Sequence, residues 1–352
     1  MPQNADSTSS SSSGSSSVFG SSFALNVIKK TKTWASEYPR WWASLSHAQK
    51  YFPVISVLTY WLLIHLLDGF RGDHLTLGII ILLFSYLGAN ARSLLRFFLP
   101  LILTGIVYDS QRFYGDYLRA EIHVNEPYNF DKYFFGIETT NGVVLTPNEW
   151  FQQHLHWFWD LLFGFYYLTF FLLFVLIAAY FYFWLSKKGT SKMSKEAISL
   201  RAPRVMWAFF WLNIIGYSTY YWYPAAPPWY VTDYGLGPAN LSAQASTAGC
   251  LRFDQLLGTS FFTQLYGRAA DVFGAIPSLH VAYPLLAVYY AFQFGSLRIF
   301  SSLFFIIMSF AAVYLNHHYV LDIIWGSGYA LLTGLVVDYI YNRNLKKTKP
   351  SS

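Results

Sequence analysis

Long apolar runs separated by short polar stretches dominate the chain from about residue 52 onwards. The clearest run, LLFGFYYLTFFLLFVLIAAYFYFWL at 161–185, contains no charged residue. A helix needs about 20 such residues to cross the hydrocarbon core of a bilayer. The pattern therefore predicts a bundle of about eight membrane-spanning helices, near residues 52–69, 75–90, 96–115, 157–185, 205–223, 278–294, 298–316 and 317–341.

The composition indicates that lipid, rather than water, is the main solvent. The chain is 54% hydrophobic and only 12% charged, whereas about 25% of residues are charged in soluble domains. We therefore predict an all-α, polytopic integral membrane protein. The net charge of +6 comes mostly from basic residues in short loops, so it predicts membrane orientation and no nucleic-acid partner. The single cysteine, Cys250, excludes an intrachain disulfide.

The two ends of the chain differ in composition from its apolar centre. Residues 1–22 are serine-rich and cannot bury enough apolar surface to fold, so we expect a disordered tail. Residues 23–50 mix basic and aromatic side chains, which favours a segment lying in the membrane interface. Residues 343–352 form a short basic tail.

The basic residues also predict the orientation of the chain in the membrane. Lysine and arginine concentrate in the N-terminal tail and in the loops after the second, fourth, sixth and eighth predicted spans. The positive-inside rule then places both termini in the cytosol. Two large loops, loop A (116–156) and loop B (224–277), lie on the exoplasmic face. In loop A, Thr146, Pro147 and Glu149 predict a helix that begins with a capping box and continues into the fourth span.

Candidate chemistry begins with NHHYVLDIIWG at 316–326. His318 and Asp322 are four residues apart and would share one face of a helix, so the carboxylate can accept from one imidazole nitrogen and leave the other as a nucleophile. Asn316 is a plausible N-cap, which would place His318 in the first helical turn.

A second histidine occupies a similar position in GAIPSLHVAYPLL at 274–286. Pro277 and Ser278 mark the start of the sixth span, so His280 lies in its first turn. Spans six and eight run in the same direction, and their N-termini could meet at one depth and bind an anion, with Ser278 as an additional donor. His318 could then attack a phosphate while His280 protonates the departing oxygen.

Three other interpretations of these residues stay open at this point. A single histidine at the end of a span is often an interfacial anchor or a satisfied buried group. A metal could be bound by His280, His317, His318 and Asp322, although no spacing enforces a complete ligand set. A proton relay in a transporter is also compatible, although no internal repeat favours it.

Four motifs occur in order: YPAAPPWY (223–230), GCLRFDQLLGT (249–259), FGAIPSLH (273–280) and HHYVLDIIWGS (317–327). They resemble those of the type 2 phosphatidic acid phosphatase superfamily of membrane phosphotransferases, and within it the inositol phosphorylceramide synthases. The resemblance implies a six-helix catalytic core, which we place at 96–342, preceded by two extra helices at 51–95.

For the active site, the resemblance implies a phosphohistidine on His318, orientation of His318 by Asp322 and proton transfer by His280. We expect no cofactor and no bound metal.

Departures from the phosphatase pattern bear on the substrate. The superfamily's phosphatases carry a lysine and an arginine in the first motif and a Ser-Arg pair before the nucleophile. This chain has Gly216 and Tyr223 at the former spacing and Ala311 and Ala312 at the latter. The site therefore has three fewer cations, which suits the single charge of a phosphodiester better than a monoester.

Two arginines of loop B are the remaining candidate phosphate ligands, together with Ser278. Arg252 belongs to the synthase-like Leu-Arg-Phe-Asp stretch, and Arg268 is close in sequence to the sixth span. Either could instead pair with Asp254 or Asp271.

These observations predict an enzyme that moves a phospho-head group from a phospholipid donor to a ceramide-like lipid acceptor. The simplest case is phosphoinositol transfer from phosphatidylinositol with release of diacylglycerol. A lipid phosphatase and a non-enzymatic transporter or scaffold are the alternatives. The predicted site faces the Golgi lumen in a eukaryote or the periplasm in a bacterium.

Overall fold

The computed structural model of the chain describes residues 36–67, 69–267 and 272–347. The predicted tail at 1–22, the first part of the predicted interfacial segment, Arg268, Asp271 and residues 348–352 lie outside these described residues. The chain forms two compact units, Met1–Arg96 and Phe97–Ser352. The described residues contain eight long helices: α1 (His47–Leu66), α2 (Gly72–Tyr86), α3 (Ala89–Ser110), α6 (Trp157–Ala179), α7 (Pro203–Trp222), α11 (Leu279–Phe294), α12 (Arg298–Tyr314) and α13 (Val320–Lys347).

Shorter elements lie between the long helices. In loop A they are α4 (Asn125–Phe135), strands β1 (Ile137–Glu138) and β2 (Val144–Leu145), and α5 (Pro147–Gln152). In loop B they are α8 (Pro228–Tyr234), α9 (Cys250–Leu257) and α10 (Phe261–Tyr266). Further short segments are a 3-10 turn at Gln111–Phe113, a π-helix at Tyr180–Leu185 that extends α6, and helical turns at 36–44, Gly115–Leu118, Ser186–Lys188 and Lys195–Arg201.

The helical membrane architecture agrees with the apolar pattern, since each predicted run overlaps one of the long helices. Among the described residues, three helices are long and apolar enough to cross a membrane: Ala89–Phe113, Trp157–Lys188 and Val320–Arg343. Gly72–Tyr86 and Arg298–Tyr314 are shorter apolar helices. The protein is therefore an all-α integral membrane protein, and the number of crossings stays a prediction.

In the first unit, α1 and α2 pack as a helical pair. The Ser46 side chain and Gln49 form a capping box at the start of α1. The helices approach closely at Gly78, where an added Cβ would lie 2.5 Å from the ring of Trp61. A larger residue at this position would force the two helices apart.

Helix α11 is the centre of the second unit and contacts α6, α7, α12 and α13. Ten of its sixteen side chains are buried and only Phe292 is exposed, unlike a helix with one broad lipid-facing stripe. Aromatic side chains fill the surrounding core; for example, the rings of Phe209 and Tyr283 lie 4.8 Å apart. This packing holds the N-terminus of α11, where the chemistry is predicted, in a rigid frame.

The helix predicted in loop A begins where expected but is shorter. Thr146 and Glu149 form the capping box and Pro147 is the first helical residue. The helix ends at Gln152, however, and does not continue into the fourth span, so that part of the prediction is wrong. The chain turns, and His156 caps a separate helix, α6, through its ring nitrogen.

Candidate active site

The start of α11 lies against the start of α13. The Ser278 N–H donates to the Asp322 carbonyl oxygen at 3.0 Å. Gly326 makes this approach possible, because an added Cβ would lie 2.3 Å from the Ser278 carbonyl oxygen. The absence of a side chain at Gly326 therefore allows the two histidine-bearing segments to meet.

His280 lies in the first turn of α11, as the sequence predicts, with Ser278 at the N-cap position. Its ring stacks on Tyr167, with centroids 4.4 Å apart, and also contacts Phe170 at 4.6 Å. These contacts orient the imidazole towards the start of α13.

His318 lies just before α13 and not within its first turn. The helix begins at Val320. Asn316 has a left-handed backbone with φ of 61°, and its side-chain amide donates to Thr232 Oγ1 at 3.2 Å. The prediction that Asn316 caps this helix is therefore wrong, because its backbone forms a left-handed turn that points the side chain into loop B. Asp322 instead reaches back to accept the Tyr319 N–H at 3.0 Å.

The three predicted catalytic side chains are nevertheless in direct contact. His318 Nε2 lies 3.0 Å from His280 Nδ1. On the other edge of the His318 ring, Nδ1 lies 3.2 Å from Asp322 Oδ2 and 3.1 Å from the Ala275 carbonyl oxygen. Both of these oxygens are acceptors, which assigns a proton to Nδ1 and leaves a lone pair on Nε2. His318 Nε2 can therefore accept a hydrogen bond from His280 Nδ1 across this contact.

Ser278 contributes a buried hydroxyl at the same place. Its Oγ atom has no hydrogen-bond partner among the described residues. Asp322 is also fully buried, and its Oδ1 likewise has no partner within the described part of the chain. Buried polar atoms without partners are uncommon, which makes these two atoms candidates for contact with a bound substrate.

Arg252 is held by other protein groups. Its Nε atom donates to Asp160 Oδ1 at 2.6 Å and its Nη1 to Gln152 Oε1 at 3.2 Å, while Nη2 has no partner among the described residues. The suggested pairing with Asp254 is wrong, because Asp254 accepts from residues at the start of α10, including the Thr263 N–H at 3.1 Å. The phosphate-binding role of Arg252 stays a prediction, and that of Arg268 falls outside the described residues.

The His317 ring makes its polar contacts with residues of loop B. Its Nε2 lies 3.1 Å from the Thr247 carbonyl oxygen and 3.3 Å from Cys250 Sγ. Its ring stacks on Tyr266, with centroids 4.9 Å apart. The described residues contain no group of three or more histidine, cysteine or acidic side chains arranged to hold a metal ion. His317 therefore anchors loop B and does not join a ligand set with His280.

Sequence reasoning missed three polar residues near the site. Asp160 stands alone at the start of a long apolar run, and this isolation was an available signal. Asp131 and Asn148 lie in loop A and belong to no motif. They contact the backbone around His318.

Comparisons with known proteins identify relatives of the chain. A family model described as the PAP2 superfamily matches residues 142–336. The chain is 37% identical over 276 residues to the phosphoinositol dihydroceramide synthase of Bacteroides thetaiotaomicron, covering 77% of this chain and 85% of that protein. No solved structure matches the chain significantly.

Two fungal proteins match shorter stretches. The chain is 34% identical over 130 residues to the catalytic subunit of inositol phosphorylceramide synthase from Schizosaccharomyces pombe, which is 36% of this chain and 31% of that protein. It is 34% identical over 148 residues to the inositol phosphorylceramide synthase of Candida albicans, which is 40% of this chain and 30% of that protein. The fungal similarity therefore covers less than a third of those proteins.

Proposed function

Because the chain belongs to the PAP2 superfamily, we propose that it transfers phosphoinositol from phosphatidylinositol to the hydroxyl of a ceramide-type lipid and releases diacylglycerol. The names of the bacterial and fungal relatives support this choice of donor head group and acceptor class. The single observation that carries the chemistry is the contact between His318 Nε2 and His280 Nδ1 at 3.0 Å, with Asp322 on the opposite edge of His318.

The first step forms a phosphohistidine. The lone pair of His318 Nε2 attacks the phosphorus of the donor diester, and the bond between phosphorus and the glycerol oxygen breaks. Protonated His280 gives its proton to that oxygen, so diacylglycerol leaves as an alcohol. Asp322 and the Ala275 carbonyl accept from His318 Nδ1–H and stabilise the positive charge that develops on the ring.

The second step reverses the first with a different oxygen. Neutral His280 removes the proton from the acceptor hydroxyl, whose oxygen attacks phosphorus. The bond between phosphorus and His318 Nε2 then breaks, and its electron pair returns to the ring. His280 ends the cycle protonated, as it began, and the net reaction exchanges one lipid alcohol for another.

The phosphate must enter between the two rings, because their nitrogens hydrogen-bond to each other in the absence of substrate. We expect His280 to be the ring that moves, because ring contacts with Tyr167 and Phe170 hold it, whereas hydrogen bonds on its far edge fix His318. Binding the donor replaces the His280–His318 contact with contacts from both rings to the phosphodiester.

Charge at the site favours a diester. Ala311 and Ala312 are fully buried and replace the Ser-Arg pair of the phosphatases. Asp160 occupies one edge of Arg252, which reduces the positive charge available to a phosphate. A singly charged diester needs less cationic compensation than a dianionic monoester.

We also propose how the chain is arranged in the membrane. Eight crossings place both termini in the cytosol and the histidines at the exoplasmic surface. The six-helix core at 96–342 holds the site, and the two helices at 51–95 precede it. Ser278, Arg252 and Arg268 are the proposed phosphate contacts.

Purified protein in lipid vesicles tests the function directly. We expect inositol-labelled phosphatidylinositol to yield labelled phosphoinositol ceramide only when ceramide or dihydroceramide is present, and His318→Ala to abolish this product. Release of free inositol phosphate or phosphate as the sole labelled product would assign a hydrolase. Unchanged lipid turnover in His318→Ala would exclude the mechanism.

A further inference from the structure

Side chains of loop A hydrogen-bond to the backbone on both sides of His318. Asp131, at the centre of α4, is fully buried. Its Oδ2 accepts the Val320 N–H at 2.7 Å, and its Oδ1 accepts the Leu321 N–H at 3.0 Å. These are free N–H groups of the first turn of α13, which begins two residues after His318.

A second side chain of loop A holds the other end of the same turn. Asn148 is buried, and its Nδ2 donates to the His318 carbonyl oxygen and to the Val313 carbonyl oxygen, each at 3.0 Å. One donor group thus joins the last turn of α12 to the nucleophile residue itself. Together, Asp131 and Asn148 fix the His318 carbonyl group and the first two N–H groups of α13.

The source of the Asp131 contact distinguishes it from an ordinary helix cap. A capping side chain normally comes from the residue just before the helix. Here the carboxylate comes from a helix 189 residues earlier in the chain. The residue just before the helix is Tyr319, which has no short polar side chain for a local cap.

Burial of the Asp131 carboxylate is unfavourable in free energy. Asp131 has no basic partner among the described residues. Burial raises the pKa of Asp131 to about 7, although the two backbone hydrogen bonds favour the ionised form. A buried acid without a cation is uncommon unless its hydrogen bonds serve a specific purpose.

We propose that Asp131 and Asn148 are positioning residues that hold the backbone of His318, so that its Nε2 is aligned with the substrate phosphorus. The inference rests on the proposed phosphotransfer at His318. It assigns loop A a role in catalysis through the 313–321 backbone, without contact with the reacting atoms. A displacement of about 1 Å at a nucleophile can lower a rate about 100-fold, so loss of either contact acts mainly on turnover.

The test compares Asp131→Ala, Asp131→Asn and Asn148→Ala with Asp338→Asn, a buried carboxylate near the other end of the same helix. Turnover is measured per competent site, counted by the initial burst of diacylglycerol. We expect Asp131→Ala and Asn148→Ala to lower kcat about tenfold or more with KM changed less than about threefold. Asp131→Asn keeps one acceptor oxygen and should recover part of the loss, whereas Asp338→Asn should keep kcat per competent site.

Amide hydrogen exchange gives a readout independent of activity. Peptides covering 313–322 should exchange faster in both alanine variants and not in Asp338→Asn. Normal kcat with unchanged exchange in folded Asp131→Ala or Asn148→Ala overturns the inference, as does an equal loss of kcat in Asp338→Asn. If Asp131→Ala does not fold, Asn148→Ala decides by the same criteria. Absence of transferase activity in the wild-type protein would refute the proposed function instead. The hydrogen-exchange data would then test only whether Asp131 and Asn148 stabilise the backbone around His318.

Discussion

The two ends of α13 hold buried carboxylates in opposite electrostatic settings. Near its C-terminal end, Asp338 pairs with the fully buried Arg204 at 3.2 Å and accepts from the Tyr289 hydroxyl at 2.9 Å and from Gln293. At its N-terminal end, Asp322 faces an imidazole and backbone N–H groups. A fixed guanidinium neutralises one carboxylate, and a titratable ring faces the other.

The partner of each carboxylate indicates its role: we interpret Asp338 as structural and Asp322 as part of the proposed reaction. Arginine stays protonated, so the Arg204–Asp338 pair cannot exchange protons and contributes to packing of α7, α11 and α13. Histidine changes its charge near neutral pH, so the contact with Asp322 can stabilise a ring that gains positive charge during a reaction. The same residue type therefore has two roles, decided by its partner.

The largest expected effect comes from Asp322→Asn. An asparagine amide would present a donor to His318 Nδ1 and favour the wrong tautomer, so the transfer rate should fall about 10⁴-fold. Thermal unfolding in detergent should change much less than the rate. A variant that keeps a tenth or more of wild-type turnover would show that Asp322 does not orient His318.

Asp338→Asn should give the reverse pattern. The substitution leaves Arg204 buried without a counter-charge, which should lower the free energy of unfolding by about 3 kcal/mol or more. Turnover per competent site should stay within about twofold of wild type, because the histidines lie at the other end of the helix. Replacing both Arg204 and Asp338 with apolar residues should restore much of the lost stability; a double variant as unstable as Asp338→Asn would contradict this account.

A smaller effect is expected from Gly326→Ala. The added methyl group would lie 2.3 Å from the Ser278 carbonyl oxygen, and such overpacking costs about 1–3 kcal/mol. It would also separate the two histidine segments and lower kcat. Gly328→Ala is the matched control, since nothing lies within 4 Å of its added Cβ. Equal behaviour of the two variants would show that the close approach is unimportant.

A further prediction concerns the pH dependence of stability. Burial raises the pKa of Asp131 from 3.8 to about 7, so the folded protein holds this proton more tightly than the unfolded chain. The associated stability is present below pH 4 and is lost as pH rises to 7, by at most about 1.4 kcal/mol per pH unit. The nearby carboxylate of Asp322 adds to the shift. The free energy of unfolding of Asp131→Asn should not show this dependence on pH. Parallel profiles of unfolding free energy against pH for the variant and the wild type would refute the prediction.

The membrane helices and the proposed catalytic side chains could be predicted from sequence because their signals are local. Apolar runs of sufficient length predict helices, and His318 and Asp322 are close along the chain. The position of His280 followed from Pro277 and Ser278, which mark the start of a helix.

The remaining features depend on contacts between distant segments. Asp131 and Asn148 are ordinary loop residues until folding brings them to the His318 backbone. Asn316 has the composition of a helix cap, but the left-handed turn that follows α12 gives it another role. Arg252 resembles a phosphate ligand in sequence, and only packing against α6 reveals Asp160 beside it.

The central claim is that His318 forms a covalent bond to phosphorus. The most direct measurement is to mix the protein with phosphatidylinositol labelled at phosphorus, quench within a turnover and locate the label by peptide mass spectrometry. The account predicts acid-labile phosphoinositol on the peptide containing His318, and none in His318→Ala. Label on another residue, or continued transfer by His318→Ala, would contradict it.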